Sequence, residues 1–102
     1  MRVISYRSLR QFIDRVPASR DALGDWYHKT LAATWKNFPA VKRTFGQTDL
    51  ATVASGNTVV IFDIGGNKWR LVAAISYNKG KVYVLRVLTH REYDTNHWKV
   101  QL

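Results

Sequence analysis

The stretch Lys68-Trp69-Arg70-Leu71-Val72-Ala73-Ala74-Ile75-Ser76-Tyr77 decides the fold class. Its odd positions, Trp69, Leu71, Ala73, Ile75 and Tyr77, are all apolar or aromatic. Successive side chains of a strand point to opposite faces, so this alternation predicts a strand with its odd face on a core. The even face, Lys68, Arg70, Val72, Ala74 and Ser76, is directed away from that core. Asn78-Lys79-Gly80 follows as a short turn, with Gly80 free to take a left-handed conformation. The next strand runs from Lys81 to Leu88 and is apolar on both faces except at Arg86, a pattern that belongs inside a sheet. Upstream, Thr58-Val59-Val60-Ile61-Phe62-Asp63 is a β-branched run between Gly56 and Gly65-Gly66.

Before Asn57 the period is helical. Residues 2–5 read as a short strand. A helix from about Ser5 places Leu9, Phe12, Ile13 and Val16 on one face, and Pro17 ends it. Ser19 reads as the N-cap of a second helix, with Asp21 in its first turn. Its stripe is Leu23, Trp26, Tyr27, Thr30 and Leu31, and Gly24 weakens it by about 1 kcal/mol relative to Ala. Pro39 breaks the pattern, and Val41–Phe45 has room for one short helical turn before Gly46. The tail from Thr89 to Leu102 alternates polar and aromatic residues without a usable period. The expected architecture is α+β, with two N-terminal helices packed on one face of a small antiparallel sheet. One domain is expected over residues 1–102, a common single-domain length.

Composition narrows the function. Sixteen Lys and Arg against seven Asp and Glu give a net charge of +9 and a pI near 10.3. A small domain this basic is suited to a polyanion or an acidic protein. There is no cysteine, which excludes a disulfide framework, a zinc ribbon and a thiol nucleophile, and is compatible with a reducing cytoplasm. No apolar run is long enough to span a membrane, and Met1–Ser5 does not read as a signal peptide. The three histidines, His28, His90 and His97, are scattered with no H-x-x-x-H pair, so no metal site is expected.

Two clusters carry chemistry. Along the Lys81–Leu88 strand, Val82, Val84, Arg86, Leu88 and His90 are expected on one face. If it pairs with the preceding strand as a hairpin, Lys68, Arg70 and Arg86 converge on an exposed concave surface. Guanidinium groups gathered there suit phosphate. Strand cations also blunt a sheet edge or solvate an open face, and that reading stands beside the first. The second cluster, Thr89-His90-Arg91-Glu92-Tyr93-Asp94, places an imidazole, a guanidinium, carboxylates and a phenol together. Imidazole is the usual general acid or base near neutral pH, and a tyrosine ring stacks on bases. A loop that merely ends a strand is the alternative. Gly65-Gly66-Asn67 fits neither a P-loop nor a dinucleotide fingerprint and reads as a tight turn. Trp26, Tyr27 and Trp69 are expected in the core. Trp35, Trp98 and Tyr93 are less constrained, with core packing the expectation for the two tryptophans.

The runs Val60-Ile61-Phe62-Asp63-Ile64-Gly65-Gly66-Asn67-Lys68-Trp69-Arg70-Leu71-Val72-Ala73 and Tyr83-Val84-Leu85-Arg86-Val87-Leu88-Thr89-His90-Arg91-Glu92-Tyr93-Asp94 resemble the HigB toxin family. The likeness is carried by residues 58–94, and the helical first half agrees in length and pattern. The resemblance implies a RelE-like fold and a toxin of a type II toxin–antitoxin system. It implies a metal-independent, cofactor-free endoribonuclease that cuts messenger RNA, typically on the ribosome. The ribose 2′-OH attacks the adjacent phosphate and leaves a 2′,3′-cyclic phosphate and a 5′-OH. Implied partners are a HigA-type helix-turn-helix antitoxin, messenger RNA and the ribosome, with operator DNA reached only through the antitoxin complex and no membrane.

That chemistry needs a base, an acid and cations for the charge building on phosphorus. The candidate catalytic residues are Arg70, Arg86, His90, Tyr93, Lys68 and Glu92. His90, Lys68 or Glu92 serves as base or acid, the arginines stabilise phosphate, and Tyr93 orients the nucleotide. Lys68, Arg70 and Arg91 are the candidate RNA contacts. The alternatives are a non-catalytic basic RNA-binding module and a protein-interaction partner. His90 with Tyr93 discriminates, because binding alone has no need of a titratable imidazole.

Overall fold

The computed structural model describes residues 1–102. Strand β1 (Arg2–Ile4) leads into α1 (Tyr6–Arg15), a 3₁₀ turn at Pro17–Ser19, α2 (Arg20–Ala32) and α3 (Phe38–Thr44). Strands β2 (Thr48–Thr52), β3 (Thr58–Ile64), β4 (Trp69–Ser76) and β5 (Lys81–Thr89) follow, then the short helices α4 (His90–Asp94) and α5 (His97–Gln101). The sheet order is β1-β5-β4-β3-β2. Its pairs are antiparallel except β1 with β5, which run parallel, so the expected antiparallel sheet is a mixed one.

The helical half folds around apolar periodicity. Leu9 and Phe12 of α1 and Leu23 and Trp26 of α2 are buried against the odd residues of β4. That cluster also takes Val60, Phe62 and Ile64 of β3 and Val82, Val84 and Val87 of β5. Trp35 joins it, fixed by a hydrogen bond from its Nε1 to Thr44 Oγ1 at 3.0 Å. Ser19 does not cap α2; its hydroxyl donates to Val16 O at 2.7 Å inside the 3₁₀ turn. Asn37 caps α3, accepting from the Ala40 N–H at 3.0 Å, and Pro39 lies in the first turn, where a missing N–H costs nothing. Strand β2 escaped the sequence reading because it is polar: among its five residues only Thr48 is buried.

The opposite face of the sheet corrects the sequence reading twice. First, it is not an open surface. Val53, Val59, Ile61, Val72, Leu88 and Trp98 form a second core there. Trp98 arrives from α5, and Ala54 N–H donates to Lys99 O at 2.9 Å, tying α5 to the β2–β3 connection. Second, the expected common face of Val82, Val84, Arg86, Leu88 and His90 does not exist. Ala73 pairs with Val84 but Val72 pairs with Arg86, so Leu85 is an extra, bulged residue. Carried on without it, the register would set Arg86 opposite Leu71, under the helices. The bulge turns Arg86 and Leu88 to the face of Val72 and Arg70, while Val82 and Val84 stay on the helix face. His90 lies beyond the strand, at the start of α4.

Candidate functional site

The site is built where β3 turns into β4 and where β5 turns into α4. Residues 65–68 make the first turn, with Gly65 at φ 64° and Asn67 at φ 84°. A Cβ on Gly65 would stand 2.6 Å from the Trp69 ring, so both the backbone angle and the contact require glycine. Asn67 is among the few side chains that tolerate such a φ, and here it has a second task.

That task is to hold Arg70. The Arg70 guanidinium is 7% exposed. Its Nη1 donates to Asn67 O at 3.0 Å and Trp69 O at 3.2 Å, and its Nη2 donates to Asn67 Oδ1. Its Nε meets Asp63 Oδ1 at 3.1 Å. Three of its five N–H groups are thus hydrogen-bonded, and Asp63 balances the charge. A buried guanidinium needs such partners, because removing it from water is costly. The group lies 5.1 Å from the centre of the Tyr93 ring, a cation–π contact. Tyr93 is stacked on its other side with Trp98, 5.4 Å between centroids and 16° between planes, and its carbonyl accepts from Trp98 Nε1 at 3.0 Å. Burial raises the Tyr93 phenol above its ordinary value. The Arg70 charge opposes this, and Asp49, Asp63 and Asp94 add to it. The phenol therefore stays protonated, a hydrogen-bond donor at neutral pH.

Helix α4 carries the remaining groups. Thr89 caps it: its Oγ1 accepts from the Glu92 N–H at 3.2 Å, and Glu92 Oε1 accepts from the Thr89 N–H at 2.9 Å. This reciprocal box explains why Thr89 and Glu92 stand three residues apart. Glu92 is also gripped by Arg15 of α1, at 3.0 and 3.3 Å to its two oxygens. Burial works to raise the Glu92 carboxyl. The Arg15 hydrogen bonds, the Thr89 bonds and the Arg15 charge outweigh it and hold the group below its ordinary value. A carboxylate so stabilised is a poor proton acceptor, and its oxygens are already occupied. His90 is different. It is exposed on α4, one turn before Asp94, with Nε2 3.2 Å from Asp94 Oδ2. Both side chains are more than half exposed, and the contact leaves Nδ1 open to solvent.

The sequence-derived candidates thus separate. Arg70 and Tyr93 meet, and His90 and Glu92 share α4 with Tyr93. Lys68 is exposed on the neighbouring turn, its Nζ 5.8 Å from the Trp69 ring centre, and Arg91 is exposed on α4. Arg86 shares a sheet face with Arg70, two residues along β5 from Leu88, the partner of Arg70. Its Nη1 donates to Leu85 O at 2.7 Å, and it borders a depression of about 410 Å³ with Ser8, Gln11, Phe12 and Arg15. Two supporting residues, Asp63 and Arg15, escaped the sequence reading, while Trp98 packs in the core as expected. Asp63 interrupts an apolar strand, a signal that was available. Arg15 acts across 77 residues of chain through a contact that no local pattern announces. No three His, Cys, Asp or Glu side chains come together in a way that could hold a metal ion.

Over 94 residues the chain is 27% identical to the mRNA interferase toxin HigB of Escherichia coli strain K12, covering 92% of this chain and 88% of that protein. The mRNA interferase HigB of Shigella flexneri matches with the same figures. Residues 19–96, which hold the turn, Arg70 and the whole of α4, match a family described as the RelE-like toxic component of a toxin–antitoxin system, and the chain belongs to this HigB toxin family.

Proposed function

We propose that this toxin is an endoribonuclease that cleaves messenger RNA in the cytoplasm, with the ribosome as the setting and a HigA-type antitoxin as its neutralising partner. The observation that carries the reading is the α4 constellation: an imidazole close to Asp94, on the same short helix as a tyrosine ring packed against Arg70 and Trp98. The names of the relatives support the substrate.

In the proposed reaction His90 Nδ1 accepts the 2′-OH proton as O2′ bonds to phosphorus. The P–O5′ bond breaks, and a cationic acid, Lys68, returns a proton to O5′. The products are a 2′,3′-cyclic phosphate and a 5′-OH. Lys68, Arg91 and Arg86 hold exposed or half-exposed charge for the phosphates. Arg70 is assigned as a positioning residue, because three of its donors are committed and its charge is met by Asp63. It fixes the Tyr93 ring, whose protonated phenol is left to donate a hydrogen bond to the nucleotide. Glu92 is assigned to hold α4 on α1 rather than to move a proton.

Mapping transcript ends in cells that express the chain tests the reading. Growth arrest with new 5′-OH and cyclic-phosphate ends is expected. Arrest with intact transcripts would assign the basic surface to RNA binding without cleavage.

A further inference from the structure

On a chain with sixteen Lys and Arg, one cleft has neither in its walls. It encloses about 640 Å³ where the α3–β2 connection meets the turn at residues 65–68, and Gln47, Asp63 and Asn67 are among its lining. The other four sizeable depressions of the surface each carry an arginine or a lysine. A phosphate or an acidic peptide finds no counter-charge in this cleft, so it suits a neutral polar edge. It adjoins the α4 site through Arg70. That guanidinium meets Asp63 of β3 at 3.1 Å and lies 5.1 Å from the Tyr93 ring, which follows β5. Strands β3 and β5 flank β4, so a nucleotide held at Asp63 is a near neighbour of one at Tyr93.

The hydrogen-bonding groups of the cleft are fixed. Arginine only donates, so the Asn67 oxygen faces Arg70 and the Asn67 amide nitrogen is left to donate elsewhere. Asp63 Oδ1 meets Arg70 Nε, and Oδ2 has no hydrogen bond or ion pair within the protein. The Asp63 N–H donates to Gln47 O at 3.2 Å, which ties the strand beneath to its neighbour. Gly46 and Gly66 have nothing within 4 Å of where a Cβ would stand, so bare backbone leaves room for a flat ring. One donor beside the two oxygens of a carboxylate is the complement of guanine. Its Watson–Crick edge sets the O6 acceptor beside the N1 and N2 N–H donors, and no other RNA base offers two donor groups side by side.

We infer that this cleft reads a guanine next to the cleaved bond, with Asp63 accepting from N1–H and N2–H and Asn67 Nδ2 donating to O6. The inference rests on the endoribonuclease reading and adds a base preference to it.

The test maps cleaved ends across the transcripts of cells that express the parent, Asn67→Asp or Gly46→Leu. For the parent, guanine is expected to be favoured about 10-fold or more over adenine at one fixed position beside the cut. Asn67→Asp keeps an oxygen on Arg70 and a side chain that tolerates the φ of 84°, but sets an acceptor against O6. Gly46→Leu fills the cleft from a residue without a positive φ. Each variant is expected to bring the guanine preference to about parity, with the remaining cuts spread over all four bases. Fewer cuts with the parental guanine preference would mean that these residues only support the fold, and would overturn the assignment. A parent that cuts with no base favoured, or with adenine favoured, overturns the cleft assignment alone, even if both variants fail to fold. A parent that produces no new ends overturns the endoribonuclease reading and this inference with it.

Discussion

The two faces of the sheet are built on different terms. The helix face buries fourteen apolar residues, with no charged group among them. The other face buries six, covered by the short helix α5, and sets beside them the ion pair of Arg70 with Asp63. The first face supplies stability by removing apolar surface from water, about 25 cal/mol per Å². The second trades apolar area for fixed polar geometry, and the candidate chemistry gathers at its edge. A site needs groups held in place yet partly wet, and a closed apolar core offers neither.

The comparison can be broken most directly at the centres of the two faces. Phe62→Ala, fully buried among Trp26, Trp35 and Phe45, is expected to cost about 3–5 kcal/mol in urea unfolding. Trp98→Ala is expected to cost less, because α5 is a single short helix, while disturbing Tyr93 and cleavage more. Equal stability losses would remove the distinction between the faces.

Next is the ion pair. Asp63→Ala leaves the Arg70 charge buried without its carboxylate, with an expected loss of about 3 kcal/mol. Adding Arg70→Met is expected to restore much of that stability without restoring cleavage. If the double variant is as unstable as Asp63→Ala, the cost lies elsewhere than in the stranded charge.

At the wet edge, His90→Ala is expected to slow single-turnover cleavage about 10²-fold or more with RNA affinity nearly intact. Tyr93→Phe keeps the ring packed on Arg70 and Trp98 and removes the hydroxyl, so it tests the phenol's hydrogen bond alone. Parental cleavage by His90→Ala would exclude the imidazole from proton transfer.

The smallest effect is in acid. The folded Glu92 carboxyl is held below its ordinary value of 4.5. Its contribution to stability is therefore present above that value and lost as pH falls through the lower, folded one. Glu92 and Arg15 are 42% and 54% exposed, so solvent screening keeps the pair under about 1 kcal/mol. Glu92→Gln should lower the melting temperature slightly at pH 7, and the gap from the parent should narrow below pH 4.5. A gap independent of pH would attribute the effect to the cap alone.

Much of the fold was legible in local pattern. The alternation from Trp69 to Tyr77, the helical spacing of Leu9, Phe12, Leu23 and Trp26, and the net charge of +9 each state a preference that needs no distant partner. The segment Thr89–Asp94 was legible as a candidate site because it packs several titratable types together. Tertiary structure decided the rest, because those decisions join residues far apart in the chain. The bulge at Leu85 is invisible in a strand apolar on both faces, yet it alone moves Arg86 from opposite Leu71 to opposite Val72. Trp98 becomes core only because α5 folds back over Val72 and Leu88. Arg70 reads as a free phosphate ligand in sequence, and the structure makes it a buried strut. Its guanidinium carries the same donors in either case, and what differs is whether Asn67 and Asp63 have already taken them.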